Sequence, residues 1–425
     1  MKSKKNELEK KKKKIIIIGS GWASSSFLKH LNADLISKNY EVIVVSPSHL
    51  FLYTPLLINS IFTSISLTLP ISELNSFPIT YINNKVSDID FQKNKLFLEK
   101  KDGGSSSSNL SYDYLILAHG SVVNTFDIQG IKEHCYFIKE EKDACKIQEQ
   151  LNLLFESVNN NNNNNNNDNN NNNNKYSKNI AIIGTSFAGV ELIGEFIDRI
   201  QKEENKNYQN HHQNHHQKYK LYAIDGLKVP LAESNSIIQK YIVDLWKKNN
   251  VNLYMDQFVT KVDDNHIHTT KNKIPYDIAF WCGGVKASSF THKINNSLGV
   301  KYLPGISVNQ YLQVKNVDQK NVYAIGDCSF TRLAPTAQVA YQEGKYLASL
   351  FNHHLDPLKM KPFQYKHKGQ IANIGQKQGI YFSGKTYFHG NLTKYLNNFV
   401  HIYNAVHYKQ SIILGKHFIE PKNKP

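Results

Sequence analysis

Residues 322–350 read VYAIGDCSFTRLAPTAQVAYQEGKYLASL, and the reading of this stretch decides the fold. An apolar strand ends in Gly326-Asp327, a short loop follows, and a helix opens at Pro335 and Thr336, with Gly344 its one weak helix former. An acid at a strand end and a helix N-terminus can serve one ligand together. The acid holds a sugar-type hydroxyl, while free backbone N–H groups face an electron-rich ring. A flavin has both features. The plainer alternative is an ordinary strand–loop–helix unit of some α/β protein, and the rest of the chain has to decide between them.

The first outside support lies near the start. Lys14 gives way to IIIIGSGWASSSFLKHL, an all-apolar strand running into Gly19-x-Gly21-x-x-Ser24 and a helix. Such a unit places a pyrophosphate at a helix N-terminus: the first glycine permits the tight turn and the second a close phosphate approach. Ser24 is small enough to keep helix and strand close. The next strand, YEVIVVSP, ends at Ser46, where an acid usually holds the adenosine ribose, and a serine bonds a ribose less strongly than a carboxylate does. Short strands are expected up to Leu98, then the strand YDYLILAHGS closing with Ala118-His119-Gly120, and a helix from about Lys139 to Val158.

That helix runs into asparagines from 159 to 174, broken only by Asp168, a tract with nothing to bury that reads as a surface insertion marking a seam. Beyond the seam, KNIAIIGTSFAGVELIGEFIDRI repeats the first unit with Gly184-x-Ser186-x-x-Gly189. Two such units in one chain are far more specific than one, because a flavin and a nicotinamide each need a pyrophosphate cradle. The following strand, YKLYAID, ends at Asp225, 41 residues after Gly184. The usual spacing is about 20 residues, and the polar insert 201–218 accounts for most of the excess. An acid there favours a free 2′-hydroxyl, hence NADH over NADPH. His211, His212, His215 and His216 within the insert read as a solvated loop, and no metal site is expected.

At 425 residues and 40% hydrophobic content, the chain is long enough for two cored domains and an appendage. Its four cysteines lack a C-x-x-C pairing, which points to thiols without structural bridges and away from a dithiol-exchanging flavoenzyme. The net charge is +16; residues 1–14 hold eight lysines against Glu7 and Glu9, so about +10 remains for the body. No nucleic-acid module is recognisable, so a basic body suits an anionic membrane surface better than a nucleic acid. The apolar runs are far short of the ~18–20 residues that span a bilayer, so membrane association is expected to be peripheral. The lysine-rich start, with acids and without arginine, is a poor mitochondrial presequence and no secretory signal. From about 362 the texture changes. Leu392, Leu396, Phe399, Tyr403 and Val406 share one helical face and Lys394, Asn397, Asn398, His401 and Asn404 the other; the apolar face is expected to cover a membrane, a partner subunit or its own core.

With these residues in place, SPSHLFLYTPLL, the second cradle ending GVE, the WCGGV strand, AIGDCSFTRLAPTAQVAYQEGKYLASLFN and PFQYKHKGQIANIG, in this order, resemble the type II (alternative, rotenone-insensitive) NADH:quinone oxidoreductases. The likeness covers roughly residues 14–415 outside the inserts. It implies that Gly19, Gly21 and Ser24 cradle the FAD pyrophosphate, that Thr54 and Pro55 line the isoalloxazine, and that Asp327 holds the ribityl chain. Ser46, Gly120, Gly326, Ala337 and Gln338 complete the FAD site. Gly184, Ser186, Gly189 and Gly283 would hold NADH, with Asp225 on its ribose and Glu191 near the nicotinamide. Gln338 and Gln342 match the family's glutamines on the quinone side; without the resemblance they are a surface pair at i, i+4, and Glu191 an ordinary helical acid near an N-terminus. Three positions depart from the family: Ala23 and Ser186 replace glycines, and His119 replaces a smaller residue.

The expected fold class is therefore α/β, with two Rossmann-like (FAD/NAD-linked reductase) dinucleotide-binding domains plus a C-terminal amphipathic membrane-association region. The expected boundaries are a basic tail 1–14, an FAD-binding domain from 15–158 and 291–355, the insertion 159–174, an NADH-binding domain 175–290, and the C-terminal region 356–425. The implied activity is non-proton-pumping NADH:quinone reduction, with Glu191, Gln338 and Gln342 in catalytic roles, a ubiquinone-type quinone as acceptor, and a homodimer compatible. The resemblance implies the mitochondrial inner membrane, peripherally bound, with the cytoplasm as the alternative that the atypical leader leaves open. The alternatives are an apoptosis-inducing-factor-like flavoprotein with slow turnover and a ferredoxin-type reductase.

Overall fold

Four consecutive isoleucines, Ile15 to Ile18, have no place at a surface, and in the computed structural model they are the buried centre of the first strand. The structure describes residues 11–63, 65–100, 108–163, 177–208, 218–356, 360–375, 378–403, 411 and 414–416. The principal elements in chain order are β1 (Lys13–Ile18), α1 (Trp22–His30), β2 (Tyr40–Ser46), β3 (Ile79–Asn83), β4 (Tyr114–Leu117), α2 (Glu141–Asn163), β5 (Lys178–Ile183), α3 (Phe187–Tyr208), β6 (Tyr219–Ile224), β7 (Asn252–Tyr254), β8 (Ile278–Trp281), β9 (Val322–Ala324), α4 (Ala337–Asn352), β10 (Gln370–Gly375), β11 (Gln378–Ser383), β12 (Thr386–Gly390) and α5 (Asn391–Tyr403).

Two parallel sheets carry the architecture. The first has the order β9-β4-β1-β2-β3, and the second β7-β6-β5-β8. In each, the opening strand lies between the second and a strand from much later in the sequence, which creates a switch point at its C-terminal end. Because the first sheet is closed by β9, residues 322–350 pack back onto the start of the chain. Gly344 shows how closely. A Cβ there would lie 2.3 Å from the Ala23 carbonyl oxygen and 2.9 Å from the Phe27 nitrogen, so α1 and α4 touch backbone to backbone. The Ser26 hydroxyl donates to the Tyr341 carbonyl at 2.6 Å across the same crossing.

Several boundaries differ from the sequence reading. β1 begins two residues inside the lysine run, because Lys13 lies 5.7 Å from the Tyr114 ring centre and the Lys14 N–H donates to Asp113 at 2.7 Å. α2 runs on through Asn163, as a nucleated helix propagates into residues with little preference of their own. The remainder of the asparagine tract lies outside the described residues. α3 likewise continues through the first eight residues of the polar insert, where Arg199 bridges the buried Glu203 at 3.1 Å; the four insert histidines lie outside the described residues. The C-terminal region contains an antiparallel sheet, β10-β11-β12, that the helical periodicity did not announce. All four cysteines are free, and among the described residues no helix is long and apolar enough to cross a membrane.

Gly344→Ala sets two effects against each other. Helix propensity favours alanine by about 1 kcal/mol, whereas forcing two backbones apart costs roughly 1–3 kcal/mol. The contact distances make packing the winner, so the variant is expected to unfold at a lower temperature or denaturant concentration than its parent. A higher midpoint would show that the crossing has slack.

Candidate functional site

Both glycine turns are built the same way. Gly19 has φ +107, and a Cβ there would sit 2.4 Å from the Ala118 carbonyl oxygen; Gly184 has φ +98, and its Cβ would sit 2.6 Å from the Cys282 carbonyl oxygen. Each first glycine thus backs onto the end of the neighbouring strand, which only glycine can do. The third positions differ. A Cβ at Gly189 would lie 1.8 Å from the Gly184 carbonyl oxygen, while Ser24 is tolerated, fully buried, with its hydroxyl unpartnered.

The second glycine of the first turn faces open space. Gly21 is the N-cap of α1, no side chain caps that helix end, and a Cβ there would meet nothing within 4 Å. The first-turn N–H groups of α1 therefore face open space, a position suited to an anion. Around it the fold assembles other expected residues. Trp22 donates to the Thr54 hydroxyl at 2.9 Å, placing the Thr54–Leu56 turn beside the cradle. Gly326, at φ +73, would bring a Cβ within 3.0 Å of the Ala23 methyl, so the Gly326–Asp327 turn rests on the first turn of α1. Ala23 fills that contact without separating the elements. Gly120, at φ +73, also borders open space. Ser46 is buried, its hydroxyl 3.1 Å from that of Ser20.

Three residues at this site escaped the sequence reading. Ser121 donates to Asp327 at 2.7 Å, and Lys139 donates to the Ser121 hydroxyl at 3.3 Å. Glu343, on α4 and fully buried, accepts from the Gly326 N–H at 2.6 Å, the Thr331 hydroxyl at 3.1 Å and the Ser329 hydroxyl at 3.3 Å. Burial raises its carboxyl to about 7 against the pull of those donors. Ser121 adjoins Gly120 and offered a signal; Glu343 within AQVAYQEG looked like an ordinary helical acid. His119 is bonded to Thr291 at 2.8 Å and lies edge-on to Phe290, and burial pushes it down to about 4, so the imidazole is neutral.

In the second unit Asp225 is already engaged. One carboxylate oxygen accepts from the Thr185 N–H at 2.5 Å and hydroxyl at 2.6 Å, the other from the Leu227 N–H at 2.8 Å. That leaves one lone-pair site for a ribose hydroxyl. Ser186 is exposed at the mouth of the turn, and Gly283 is pressed on the Trp281 indole, where a Cβ would approach within 2.4 Å. Glu191 sits one turn further along α3. It receives the Asn373 backbone N–H from β10, and burial, reinforced by Glu195, raises it to about 8. Glu195 in turn accepts from Asn59 at 3.2 Å, just beyond Thr54 and Pro55, so α3 brings Glu191 toward the first cradle.

Gln338 and Gln342 do share a face of α4, and both amides are bonded to the segment that follows it. Gln338 accepts from the Tyr365 hydroxyl and the Lys368 N–H, both at 2.8 Å, and donates to Gly369 at 3.2 Å. Gln342 exchanges two 2.9 Å bonds with the backbone of Lys366. The extended segment 360–369 is thereby strapped along the helix, and each amide keeps a second N–H that these bonds do not use. Ala337 opens α4 behind the Thr336 cap, whose hydroxyl accepts from Val339 at 3.2 Å.

α5 is inside out. Thr393, Asn397 and His401 are buried, while Leu392, Tyr395 and Phe399 are 82%, 69% and 63% exposed. The polar stripe holds because the Tyr53 hydroxyl lies 3.2 Å from His401 Nδ1 and donates to the His401 carbonyl at 3.3 Å. Leu392, Tyr395, Leu396 and Phe399 therefore do not cover the chain's own core; Tyr403 and Val406 side chains lie outside the described residues. Among the described residues no group of histidines, cysteines and acids is arranged to hold a metal ion.

A family model described as pyridine nucleotide-disulphide oxidoreductase matches residues 13–344. A probable mitochondrial NADH-ubiquinone oxidoreductase of Schizosaccharomyces pombe is 27% identical over 420 residues, covering 87% of this chain and 73% of its own. The external mitochondrial NADH-ubiquinone oxidoreductase 2 of Saccharomyces cerevisiae is 28% identical over 411 residues with the same coverages. Among solved structures, NDH2 of Plasmodium falciparum in complex with NADH superposes with a TM-score of 0.84 at 24% identity, covering 96% of this chain and 98% of that one, which speaks to the fold.

The raised Glu191 carboxyl has a sign that can be checked. Its proton is held more tightly folded than unfolded, so its contribution to stability is complete below about 4.5 and is lost as pH rises through about 8. Glu191→Gln is expected to flatten the alkaline decline in thermal stability between about pH 5 and about pH 9. Parallel curves for variant and parent would show the carboxylate ionised throughout.

Proposed function

This chain belongs to the pyridine nucleotide-disulphide oxidoreductase family, and from that premise we propose that it is a type II NADH:quinone oxidoreductase that binds FAD and does not pump protons. The single observation that carries this reading is the pair of glycine turns on two parallel sheets, one beside Thr54 and Asp327, the other beside Asp225 and Glu191. The names of the curated relatives favour the same activity over the apoptosis-inducing-factor-like alternative. The four cysteines include no C-x-x-C pair, which argues against the dithiol exchange of other members.

The α1 N-terminus at Gly21 fits a dinucleotide pyrophosphate, because that helix end is uncapped and a side chain at Gly21 would enter the open space in front of it. Bound FAD supplies the capacity to take a hydride from NADH and pass two electrons to a quinone. The chain's own residues position and polarise. α1 offers backbone N–H groups to a pyrophosphate, and Asp327, held by Ser121, presents a fixed acceptor to a sugar-type hydroxyl. Lys139 and the N-terminus of α4 place positive potential on the same side, which stabilises negative charge developing on a ring there. Glu191, neutral near pH 7, can donate a hydrogen bond to a carboxamide without adding charge beside a hydride donor.

The membrane contact is part of the proposal. The outward apolar residues of α5 adjoin exposed Tyr387 and Phe388 of β12, and the strap 360–369 exposes Lys361, Lys366 and Lys368. Apolar insertion together with cationic side chains is what reversible peripheral binding requires. A lipid-soluble quinone would then approach near Gln338 and Gln342. The mitochondrial inner membrane is proposed as the place because the relatives are mitochondrial by name.

The test is a purified, yellow protein mixed with NADH and a short-chain quinone. Multiple turnover with FAD released on denaturation is expected; a colourless protein that cannot be reconstituted with FAD overturns the reading. Within that assay, Gln338→Leu should slow quinone reduction more than NADH-driven bleaching of the flavin. Replacing Leu392 and Phe399 by serine should release the protein from anionic vesicles while leaving soluble-quinone turnover in place.

A further inference from the structure

Beside Asp225 the structure holds an aromatic ring out into solvent, and nothing in the fold uses it. Phe258 is 66% exposed. It is nevertheless fixed. The segment that carries it is zipped to the end of β6: the Gln257 N–H donates to the Asp225 carbonyl at 3.0 Å and the Asp256 N–H to the Leu227 carbonyl at 2.9 Å. On the other side the Thr270 N–H donates to the Phe258 carbonyl at 2.9 Å. Gln257 is buried and anchored by Thr269 at 2.9 Å and Asn272 at 2.8 Å. The ring itself lies on Gly226, where a Cβ would come within 2.4 Å of it. Leu227 is exposed next to it. Ring, glycine and acid are thus one rigid ledge, and exposing it in the free protein costs hydrophobic free energy that a flat apolar ligand would recover.

We propose that Phe258 is the stacking platform for the adenine ring of NADH and so a determinant of donor specificity. The inference rests on the reading above, in which Asp225 holds the adenosine ribose. An adenine is bonded directly to that ribose, so its π-face must lie within a few bonds of the acid's hydroxyl partner. The Phe258 ring is the exposed aromatic surface that the backbone bonds place at that end of β6. Base–aromatic stacking is sequence-tolerant and substantial, and it leaves the nicotinamide end, near Glu191, untouched.

The experiment compares the FAD-loaded parent, Phe258→Ala and Phe258→Trp with two donors, NADH and reduced nicotinamide mononucleotide, which lacks the adenosine. Phe258→Ala is expected to raise KM for NADH about tenfold, the scale of one lost base stack, with kcat unchanged and with KM for the mononucleotide unchanged. Phe258→Trp restores the NADH value. Independently, calorimetry with ADP-ribose should show binding weakened about tenfold in Phe258→Ala and recovered in Phe258→Trp. An equal effect on both donors, or unaltered ADP-ribose binding, overturns the assignment. A parent that binds ADP-ribose through Phe258 but oxidises neither donor would overturn the oxidoreductase reading and leave the platform standing.

Discussion

The contact on which the candidate site depends is the close crossing of α1 and α4 at Gly344. Where Gly344 meets Ala23 and Phe27, the two helices approach to backbone distance, and no residue with a Cβ is accommodated without displacement. That closeness fixes the place of everything at the N-terminal end of α4. It sets the Gly326–Asp327 turn on the first turn of α1, so that a phosphate-type cradle from residues 19–24 and an acid from residue 327 lie side by side. Glu343 reinforces the arrangement from inside, since its buried carboxyl takes the Gly326 N–H and ties the turn to the helix. Segments about three hundred residues apart are thus brought to one site by a contact whose closest point has no side chain on the α4 side.

The same device recurs where the second unit meets the C-terminal sheet. A Cβ on Gly194 would lie 2.5 Å from the Ile374 carbonyl carbon, so α3 is as close to β10 as α1 is to α4. One consequence is electrostatic. β10 and the helix following Thr54 cover the Glu191 face of α3, the Phe187 and Phe382 rings stack at 5.7 Å, and Phe62 packs edge-on to Phe196 at 5.1 Å. Covered in this way, two acids on one helical face keep Glu191 protonated, which an isolated helix surface would not do.

Much of this was legible in the sequence, and the rest was hidden for identifiable reasons. Gly19 and Gly184 could be read because a strand-to-helix reversal at that spacing demands φ values that glycine alone adopts freely. Parallel sheets were legible because β1 and β5 are apolar on both faces. Glu343 was not legible, since a helical acid shows its burial only when the turn it serves is in place. Nor were the strap and the β10–β12 sheet: the partner of Gln342 is a backbone, Lys366, whose sequence says nothing about hydrogen bonding. Phe258 was invisible for a related reason, because what makes it informative is the glycine beneath it and not its own neighbours in sequence.

α5 shows why periodicity alone leaves orientation open. Its two faces were plain from the spacing, yet the hydrophobic effect would ordinarily turn the apolar stripe inward. Here the inward side is polar, and His401 is a neutral imidazole, pushed down to about 4 by burial and joined to Tyr53. Burying Thr393, Asn397 and His401 while leaving Leu392, Tyr395 and Phe399 in water is unfavourable for an isolated protein in solution. The arrangement is sensible only if those outward side chains are removed from water elsewhere, and on the proposed reading the lipid surface does so. Tyr53 immediately precedes Thr54 and Pro55, so the bond that holds the helix inside out also joins it to the turn beside the cofactor cradle. On the proposed reading, membrane contact and the redox site would then share one hydrogen-bonded connection.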